Sequence, residues 1–262
     1  MSGSIVVVGI GPGASEHMTP AARQALESAE VIVGYHTYLR LIAELAPQVP
    51  RLGSGMRQEI GRTRQAIDLA VQGRRVAVVS GGDAGIYGMA GLVLEVLRAR
   101  QQDNIPVEVI PGISALNAAA ALLGAPLMTD FAVISLSDQL VPRFDVLRRV
   151  ELAAQADFVI CLYNPKGKHR DEVFEQTCQL LRRWRAPETP VGVVRAAFRE
   201  GQQVCITTLA RLSEAAVDML SIILVGNSHT YLYQGKMVTP RGYADKYDLT
   251  HSGDCNYAAA RD

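Results

Sequence analysis

The chain has 262 residues, of which 48% are hydrophobic and 20% are charged, and its 26 basic side chains balance its 26 acidic ones. This composition excludes a disordered chain, and the lack of a basic excess argues against a nucleic-acid or membrane-surface binder. A chain of this length is expected to form two domains, so we expect two cores and a small-molecule partner.

Targeting signals and metal motifs are not evident in the sequence. No apolar run reaches the roughly 18 residues of a membrane helix, and no basic segment precedes the first apolar run as in a signal peptide. We therefore expect a cytoplasmic protein that binds no membrane. The four cysteines and five histidines are scattered without metal-ligand spacing, which predicts reduced thiols and no metal site.

The first half of the chain alternates strand and helix patterns. Strands are predicted at 5–8, 31–33, 76–80 and 107–110, and helices from 20 and at 36–45, 57–72, 88–100 and 115–123. Thr19 and Pro20 are typical of an N-cap followed by the first helical position. The stretch 51–57 predicts a glycine-rich basic loop, either solvated or facing a substrate.

Three turns follow buried strands directly, at Gly9–Gly13, Gly81–Gly88 and Pro111–Ala115. Glycine lets a ligand approach the bare main chain, and ligands of open α/β sheets bind at the carboxyl ends of strands. These turns therefore predict one wall of a ligand cleft. Asp83 either accepts hydrogen bonds from a ligand or caps its own turn, and Ser114 is placed to cap the following helix.

The first of these turns also fits a loose dinucleotide pattern, through Gly9, Gly11 and Ala14. Pro12 removes one N–H donor from such a phosphate cradle, and the strand at 31–33 is not followed by an acid that would bind a ribose. A NAD-dependent oxidoreductase is therefore the alternative from a different enzyme class.

Pro126 predicts the boundary of a second lobe, because proline disfavours helix in the residue before it. We predict an α/β lobe over 1–124, a second α/β lobe over 125–240 and a loosely docked tail over 241–262. In the second lobe, strands are predicted at 131–136, 158–163, 191–194, 204–207 and 222–225, and helices at 143–156, 172–184 and 208–216.

Read together, the three turns and their order resemble the tetrapyrrole (corrin/porphyrin) methylase family over about residues 4–240. Four motifs in the second half are similar to the branch of that family that methylates C17 of precorrin-3B and contracts its macrocycle to precorrin-4 in cobalamin biosynthesis. They are Ser135–Asp138, Leu162–Lys166, Val194–Gly201 and Gly226–Tyr231. The cobalt-bearing counterpart, cobalt-factor III, is the alternative substrate, and a tetrapyrrole carrier or chaperone is the non-catalytic alternative.

The resemblance implies two α/β lobes, the first with a mostly parallel sheet and the second with a mixed sheet, and a homodimer. It also implies S-adenosyl-L-methionine in the cleft between the lobes, with S-adenosyl-L-homocysteine as the product. Carried over residue by residue, the cofactor contacts from the first lobe are Pro12, Gly81, Gly82, Asp83, Ile86, Ser114 and Ala115. Those from the second lobe are Leu162, Tyr163, Ala196, Gly226 and Asn227.

A macrocycle with acetate and propionate side chains also needs cations, and arginine holds carboxylates in a bidentate manner. Cations in or beside loops at strand ends are the candidates for this role: Arg51, Arg57, Lys166, Lys168, Arg195 and Arg199. Ring contraction needs acid–base help, for which the candidates are Tyr35, His36 and His229.

Overall fold

The structure is a computed structural model that describes residues 3–167 and 172–250. Its contacts divide the chain into two compact units. The first comprises the chain up to Ala118 together with Ala196–Gln202, and the second comprises Ala119–Arg195 and the chain from Gln203. The lobe boundaries at 124 and 240 stay predictions. No helix of the described residues is long and apolar enough to cross a membrane.

The first unit contains a five-stranded sheet in the order β3-β2-β4-β1-β5, and all its strand pairs are parallel. The strands are β1 (Ser4–Gly9), β2 (Val31–Tyr35), β3 (Arg51–Ser54), β4 (Arg75–Ser80) and β5 (Val107–Ile110). The helices are α1 (Pro20–Glu27), α2 (His36–Leu41), α3 (Glu59–Val71) and α4 (Met89–Ala99), and α5 (Ala115–Leu123) begins in this unit and ends in the second. Because β1 and β4 lie inside the sheet, they read as continuous apolar runs, as the sequence predicted.

Helices cover both faces of this sheet. Alternate residues of β1 face opposite sides, so Val7 packs in a core with Ile67 and Val93, whereas Val8 packs in a core with Leu26 and Ile32. The predicted cap of α1 is confirmed, since the Thr19 hydroxyl accepts a hydrogen bond from the Ala22 N–H at 3.1 Å. The predicted α/β class with a parallel sheet is therefore confirmed.

One predicted loop is a strand. Residues 51–57 were expected to form a loop, but Arg51–Ser54 forms β3 and pairs with β2 at the edge of the sheet. Two of its four residues, Gly53 and Ser54, lack the β-branched or aromatic side chains that favour strands, so the pairing with β2 is what holds the segment extended.

The strand order is not that of a dinucleotide-binding sheet. In a dinucleotide-binding sheet the first strand lies beside the second. In this protein β1 pairs with β4 and β5 instead. The loop after β1 also passes through a 3-10 turn, Ser15–His17, before α1 begins at Pro20. The glycine loop therefore does not lead straight into the N-terminus of α1, as a dinucleotide-binding loop must. Both the strand order and this loop contradict the oxidoreductase alternative.

The second unit contains a five-stranded mixed sheet in the order β10-β9-β11-β8-β7, in which only β7 and β8 are parallel. After a short strand β6 (Gly124–Ala125), its strands are β7 (Phe131–Ser135), β8 (Val159–Tyr163), β9 (Pro190–Arg195), β10 (Gln203–Thr208) and β11 (Ser221–Val225). Helices α6 (Arg143–Gln155) and α7 (Glu172–Leu181) pack against it, and Phe174 is fully buried in their common core. The predicted mixed sheet is confirmed.

The end of the described chain differs from the prediction. Strands β12 (Tyr231–Tyr233) and β13 (Lys236–Val238) form a hairpin, and β13 pairs with β6. The helix predicted at 208–216 is a 3-10 helix, Leu209–Glu214, and Thr208, which precedes it, makes no side-chain capping bond. In the predicted tail, α8 (Tyr243–Lys246) is a short helix, and residues 251–262 lie outside the described residues.

Candidate functional site

The carboxyl ends of all five parallel strands of the first sheet lie at one edge. The three glycine-rich turns follow β1, β4 and β5 there, and Tyr35, which ends β2, and His36, which follows it, lie at the same edge. The structure therefore brings together the cofactor contacts that were predicted in the first half of the chain.

Main-chain hydrogen bonds join the first two turns. The Gly82 N–H donates to the Gly11 carbonyl at 2.8 Å, and the Gly11 N–H donates to the Gly82 carbonyl at 3.1 Å. Both residues have positive φ, 74° at Gly11 and 66° at Gly82. L-residues rarely adopt this conformation, so both glycines are required by the backbone itself.

Asp83 ties the second turn to the third. Its Oδ1 accepts hydrogen bonds from the Gly85 N–H at 2.8 Å and the Ile86 N–H at 3.1 Å. Its Oδ2 accepts one from the Gly112 N–H at 3.1 Å. The turn-capping role considered for Asp83 is therefore present, and its contact with a cofactor stays a prediction.

Gly112 was not singled out in the sequence, although the three turns meet there. A Cβ at this position would lie 2.6 Å from the Gly9 carbonyl oxygen and still closer to that of Gly82. The only signal was the Pro-Gly dipeptide itself, which marks a turn and says nothing of its neighbours.

The third turn leads into α5 through Ser114, which is only 2% exposed. Its hydroxyl accepts a hydrogen bond from the Asn117 N–H at 3.3 Å and donates one to the Asn117 side chain. Helix capping therefore accounts for Ser114. On the second turn, by contrast, Ile86 and Tyr87 are exposed, which leaves apolar surface beside the glycines.

A side chain that the sequence did not indicate, Tyr38 of α2, covers Gly81. A Cβ at Gly81 would lie 2.5 Å from carbons of the Tyr38 ring. Glycine at 81 therefore makes room for this ring, whereas it was predicted to serve ligand approach. Tyr35 meets Tyr38 edge to face, with ring centroids 5.4 Å apart.

The buried cation Arg62 also lies near this edge and was missed, because it reads as one of several polar residues of α3. It is 4% exposed, and its guanidinium carbon lies 5.8 Å from the Tyr35 ring centroid. Burial lowers the pKa of Arg62, and Glu59 opposes that shift. Its Nε donates to the Ser54 hydroxyl at 2.9 Å. Tyr35 thus faces an arginine, whereas His36 is exposed and packs against Gly53.

Arg51 is not placed to bind a substrate at this edge. It is the first residue of β3, at the opposite end of that strand from Ser54. Its guanidinium donates to main-chain carbonyls at the end of α2 and just beyond, including those of Ile42 at 3.1 Å and Ala43 at 3.0 Å. This is a correction to the prediction. Arg57 is exposed, with φ of 64°.

In the second unit, Leu162 and Tyr163 end β8, and Leu162 is fully buried. Arg195 ends β9 at the same edge of the sheet, since both strands pair antiparallel with β11. The Arg195 Nε donates to Asp218 at 2.8 Å. The predicted contacts of Leu162 and Tyr163 with a cofactor stay predictions.

Gly226 and Asn227 lie at the other edge of this sheet. The antiparallel register places Val225 beside Ile160 and Val191, at the starts of β8 and β9. Asn227 is buried and accepts hydrogen bonds from the His229 N–H at 3.0 Å and the Thr230 hydroxyl at 3.1 Å. The structure therefore separates Gly226, Asn227 and His229 from Leu162 and Tyr163, and their prediction as one site is corrected.

The remaining predicted cations have different surroundings. The Lys166 ammonium lies 4.9 Å from the centroid of the buried Phe174 ring, and Lys168 lies outside the described residues. Arg199 and Ala196 belong to the first unit, although β9 precedes them in the chain. Arg199 Nε donates to the Pro12 carbonyl.

Of the described thiols, that of Cys205 is exposed, whereas the other two are buried. Cys161 and Cys178 are buried, and burial raises the pKa of Cys178 to about 11. Across 3–167 and 172–250, no three His, Cys, Asp or Glu residues are grouped as metal ligands would be.

Comparison with known proteins agrees with this arrangement. A family model described as Tetrapyrrole (Corrin/Porphyrin) Methylases matches residues 4–213. The chain is 45% identical over 96% of its length to a cobalt-factor III methyltransferase of Priestia megaterium, of which it spans 47%. It is 47% identical over 90% of its length to a probable cobalt-factor III C(17)-methyltransferase of Salmonella typhimurium, of which it spans 98%.

A further relative is a precorrin-3B C(17)-methyltransferase of Sinorhizobium sp, at 37% identity over 93% of this chain and 98% of that protein. Among solved structures, that of the methyltransferase CobJ superposes with a TM-score of 0.85 at 36% identity, over 91% of this chain and 100% of that one. A uroporphyrin-III C-methyl transferase from Thermus thermophilus, solved with S-adenyl homocysteine, shares the fold with a TM-score of 0.68 at 24% identity, over 86% and 97% of the two chains.

Proposed function

The chain belongs to the tetrapyrrole methylase family, and on that premise we propose that it transfers a methyl group from S-adenosylmethionine to C17 of precorrin-3B, with ring contraction to precorrin-4. The observation that carries this proposal is the meeting of three glycine-rich turns at Gly112, at the carboxyl edge of a parallel sheet. The family resemblance further implies a homodimer, and we include this assembly and a cytoplasmic location in the proposal.

The residues at this edge fit a methyl donor with an adenosyl group. Gly82 keeps its main chain bare, since a Cβ there would meet no atom closer than 3.5 Å. Ile86 and Tyr87 are 38% and 55% exposed and offer apolar surface for an aromatic base. Pro12, Gly81, Gly82, Asp83, Ile86, Ser114 and Ala115 would hold the donor, and Leu162, Tyr163 and Ala196 complete the proposed set.

The bound donor would supply a methyl group already activated by its sulfonium charge. The protein then needs no strong base for the transfer, and its contribution is alignment, which is worth up to about 7–11 kcal/mol in well-oriented reactions. Hydrogen bonds between the turns hold Gly11, Gly82 and Gly112 in fixed relative positions. A rigid wall of this kind is what alignment requires, because a small displacement of the reacting atoms is costly.

The carboxylates of the macrocycle need cations, and Arg57 is exposed in the segment that follows β3 at this edge. We keep Lys166 and Arg195 of the second unit in the proposed set as well. Tyr35 is the proposed proton donor for ring contraction, because it ends β2 at this edge and carries a hydroxyl group that can donate a proton. His36 is a second candidate at this edge.

The cobalt-bearing macrocycle, cobalt-factor III, is a second candidate substrate. The relatives named for it share more identity with the chain than the relative named for precorrin-3B does. Cobalt would arrive inside the substrate, so no metal site of the protein is needed for either reaction.

Incubation of the purified protein with S-adenosylmethionine and each macrocycle tests the proposal. We expect a product one methyl group heavier, with the absorption spectrum of a contracted ring, and a reaction without the donor is the control. Faster turnover of the cobalt-bearing macrocycle would assign the chain to the second substrate. Unchanged mass with both macrocycles would contradict methyl transfer to C17.

A further inference from the structure

The turn Ala196–Gln202 is strained and belongs to the first unit. Ala196 has φ of 47° and Phe198 has φ of 54°. Two of the first three residues of the turn therefore have a left-handed backbone conformation although neither is glycine. This conformation is unfavourable for residues with a Cβ, and strain of this kind persists only where the surroundings hold it. The contacts of the turn therefore show what it is held against.

The turn packs on the loop that follows β1. Arg199 Nε donates to the Pro12 carbonyl. The side chain of Arg199 occupies the space that a side chain at position 13 would need, since a Cβ at Gly13 would be 2.9 Å from Arg199 Nε. Further along the same loop, the Phe198 ring stacks on His17 with centroids 4.0 Å apart and an interplanar angle of 26°.

Arg199 also reaches the side chain that covers the second glycine turn. Its guanidinium carbon lies 5.9 Å from the centroid of the Tyr38 ring, within the range of a cation–π interaction. The same ring lies against Gly81, where a Cβ would be 2.9 Å from the phenol oxygen. Arg199 is thus linked to the loops after β1 and β4 at once.

The charge of Arg199 makes these contacts strong. Burial lowers the pKa of its guanidinium, which nevertheless stays protonated near neutral pH because arginine begins far above that range. A hydrogen bond from a charged donor is about twice as strong as one between neutral groups. The Pro12 carbonyl is therefore held firmly and is not left free to reorient.

We propose that Arg199 is a positioning residue of the methyl-donor site, which fixes the Pro12–Gly13 loop through the Pro12 carbonyl and the Gly81 turn through the face of Tyr38. This assignment rests on the function proposed above. It replaces the role in binding substrate carboxylates that the sequence suggested, because the guanidinium is engaged with protein groups.

Affinity for S-adenosylhomocysteine, measured by titration calorimetry, tests the proposal in Arg199→Met, Arg199→Lys, Tyr38→Leu and Tyr38→Phe. Arg199→Met keeps an unbranched side chain but loses the donor, so we expect affinity to fall about tenfold or more, as for a lost hydrogen bond to a charged group. Arg199→Lys keeps a charged donor and is expected to recover part of the loss. Tyr38→Phe keeps the ring and is expected to lose less affinity than Tyr38→Leu.

Arg183→Met is the matched control, since Arg183 is an exposed arginine of the second unit, and it is expected to bind like the wild type. In steady-state assays, Arg199→Met is expected to raise the KM for S-adenosylmethionine and to leave the KM for the tetrapyrrole near its wild-type value. Thermal unfolding of each variant shows whether it is folded, and the lysine variant carries the test should the methionine variant unfold.

Two results would overturn the inference. The first is unchanged S-adenosylhomocysteine affinity in folded Arg199→Met, and the second is a rise confined to the KM for the tetrapyrrole, which would make Arg199 a substrate ligand. Titration of the wild type tests the proposed function separately. Without wild-type affinity both proposals fail, whereas wild-type affinity with an unaffected variant refutes only the role of Arg199.

Discussion

The three turns of the first unit pack so tightly around Gly112 that no side chain fits there. An added Cβ would overlap main-chain oxygens of Gly9 and Gly82, and backbone atoms cannot move away as a flexible side chain can. We predict that Gly112→Ala lowers the free energy of unfolding by about 1–3 kcal/mol, the usual cost of overpacking. We also expect weaker S-adenosylhomocysteine binding, because the turns must separate. Urea unfolding and calorimetry measure the two effects.

Gly91→Ala is the matched control for this substitution. Gly91 lies in α4, and a Cβ there would meet no atom within 4 Å. Alanine favours a helix over glycine, so stability should rise by about 0.5–1 kcal/mol with ligand affinity unchanged. If Gly112→Ala behaved like this control, the turns would not be packed as the structure has them.

Gly81 and Gly82 are adjacent in the sequence but are glycines for different reasons. Gly82 has positive φ, whereas Gly81 has no room for a side chain beside the Tyr38 ring. The Gly-Gly-Asp motif correctly predicted a tight turn at a strand end. It could not predict Tyr38, since that contact depends on how α2 packs beside β4.

At the scale of elements, the ion pair between Arg195 and Asp218 joins the end of β9 to the segment just before β11. Burial of Asp218 disfavours its charge, but hydrogen bonds from Arg195, Ser221 and Leu220 outweigh that effect and lower the pKa of its carboxyl. An unfolded aspartate has a pKa of about 3.9. The carboxylate therefore stabilises the fold above that pH, and the contribution is lost as the pH falls through the lowered folded-state pKa.

We predict that Asp218→Asn reduces the free energy of unfolding at neutral pH. Because the Asp218 side chain is 44% exposed, solvent screening limits the effect to about 0.5–1 kcal/mol. The difference from the wild type should shrink as the pH falls below about 3.9 and disappear only below the lowered folded-state pKa of Asp218, as measured by urea unfolding over a pH series. Asp103→Asn, at an exposed site, is the control, and a difference that persists in acid would refute the assignment.

Elements with a clear apolar pattern were predicted closely, whereas several short strands were missed. Strands β1, β4, β5 and β8 and helices α3, α4 and α6 lie within two residues of their predicted bounds at either end. The missed strands β3, β6, β12 and β13 are two to four residues long. A strand of that length carries too few residues for a period-two pattern, and its partner decides whether it forms.

At the scale of the whole molecule, each of the two units is built from two separate segments of the chain. The chain passes from one to the other at Ala118, Arg195 and Gln202, and α5 contributes residues to both. The turn Ala196–Gln202 is a part of the first unit that is flanked by paired strands of the second, β9 and β10. Unfolding of either unit therefore removes contacts or anchoring from this turn.

We predict that the units unfold together in urea. Trp184 is the only tryptophan of the chain and lies in the second unit, so its fluorescence reports on that unit, while far-UV circular dichroism reports on helices of both. Coincident transitions are expected, since two-state behaviour requires that different probes agree. A separate, earlier fluorescence transition would show that the second unit unfolds alone.

The sequence by itself determined the family, the α/β class and the three turns of the first unit, because these depend on local patterns: buried strands, glycines after them and a capped helix. Only the tertiary structure decided which of the predicted residues lie close together. It moved Arg51 and Gly226 away from the edges where they were expected, and it brought Tyr38 and Arg199 to the glycine turns. The order and direction of the strands set these positions, and neither can be derived from the spacing of residues along the chain.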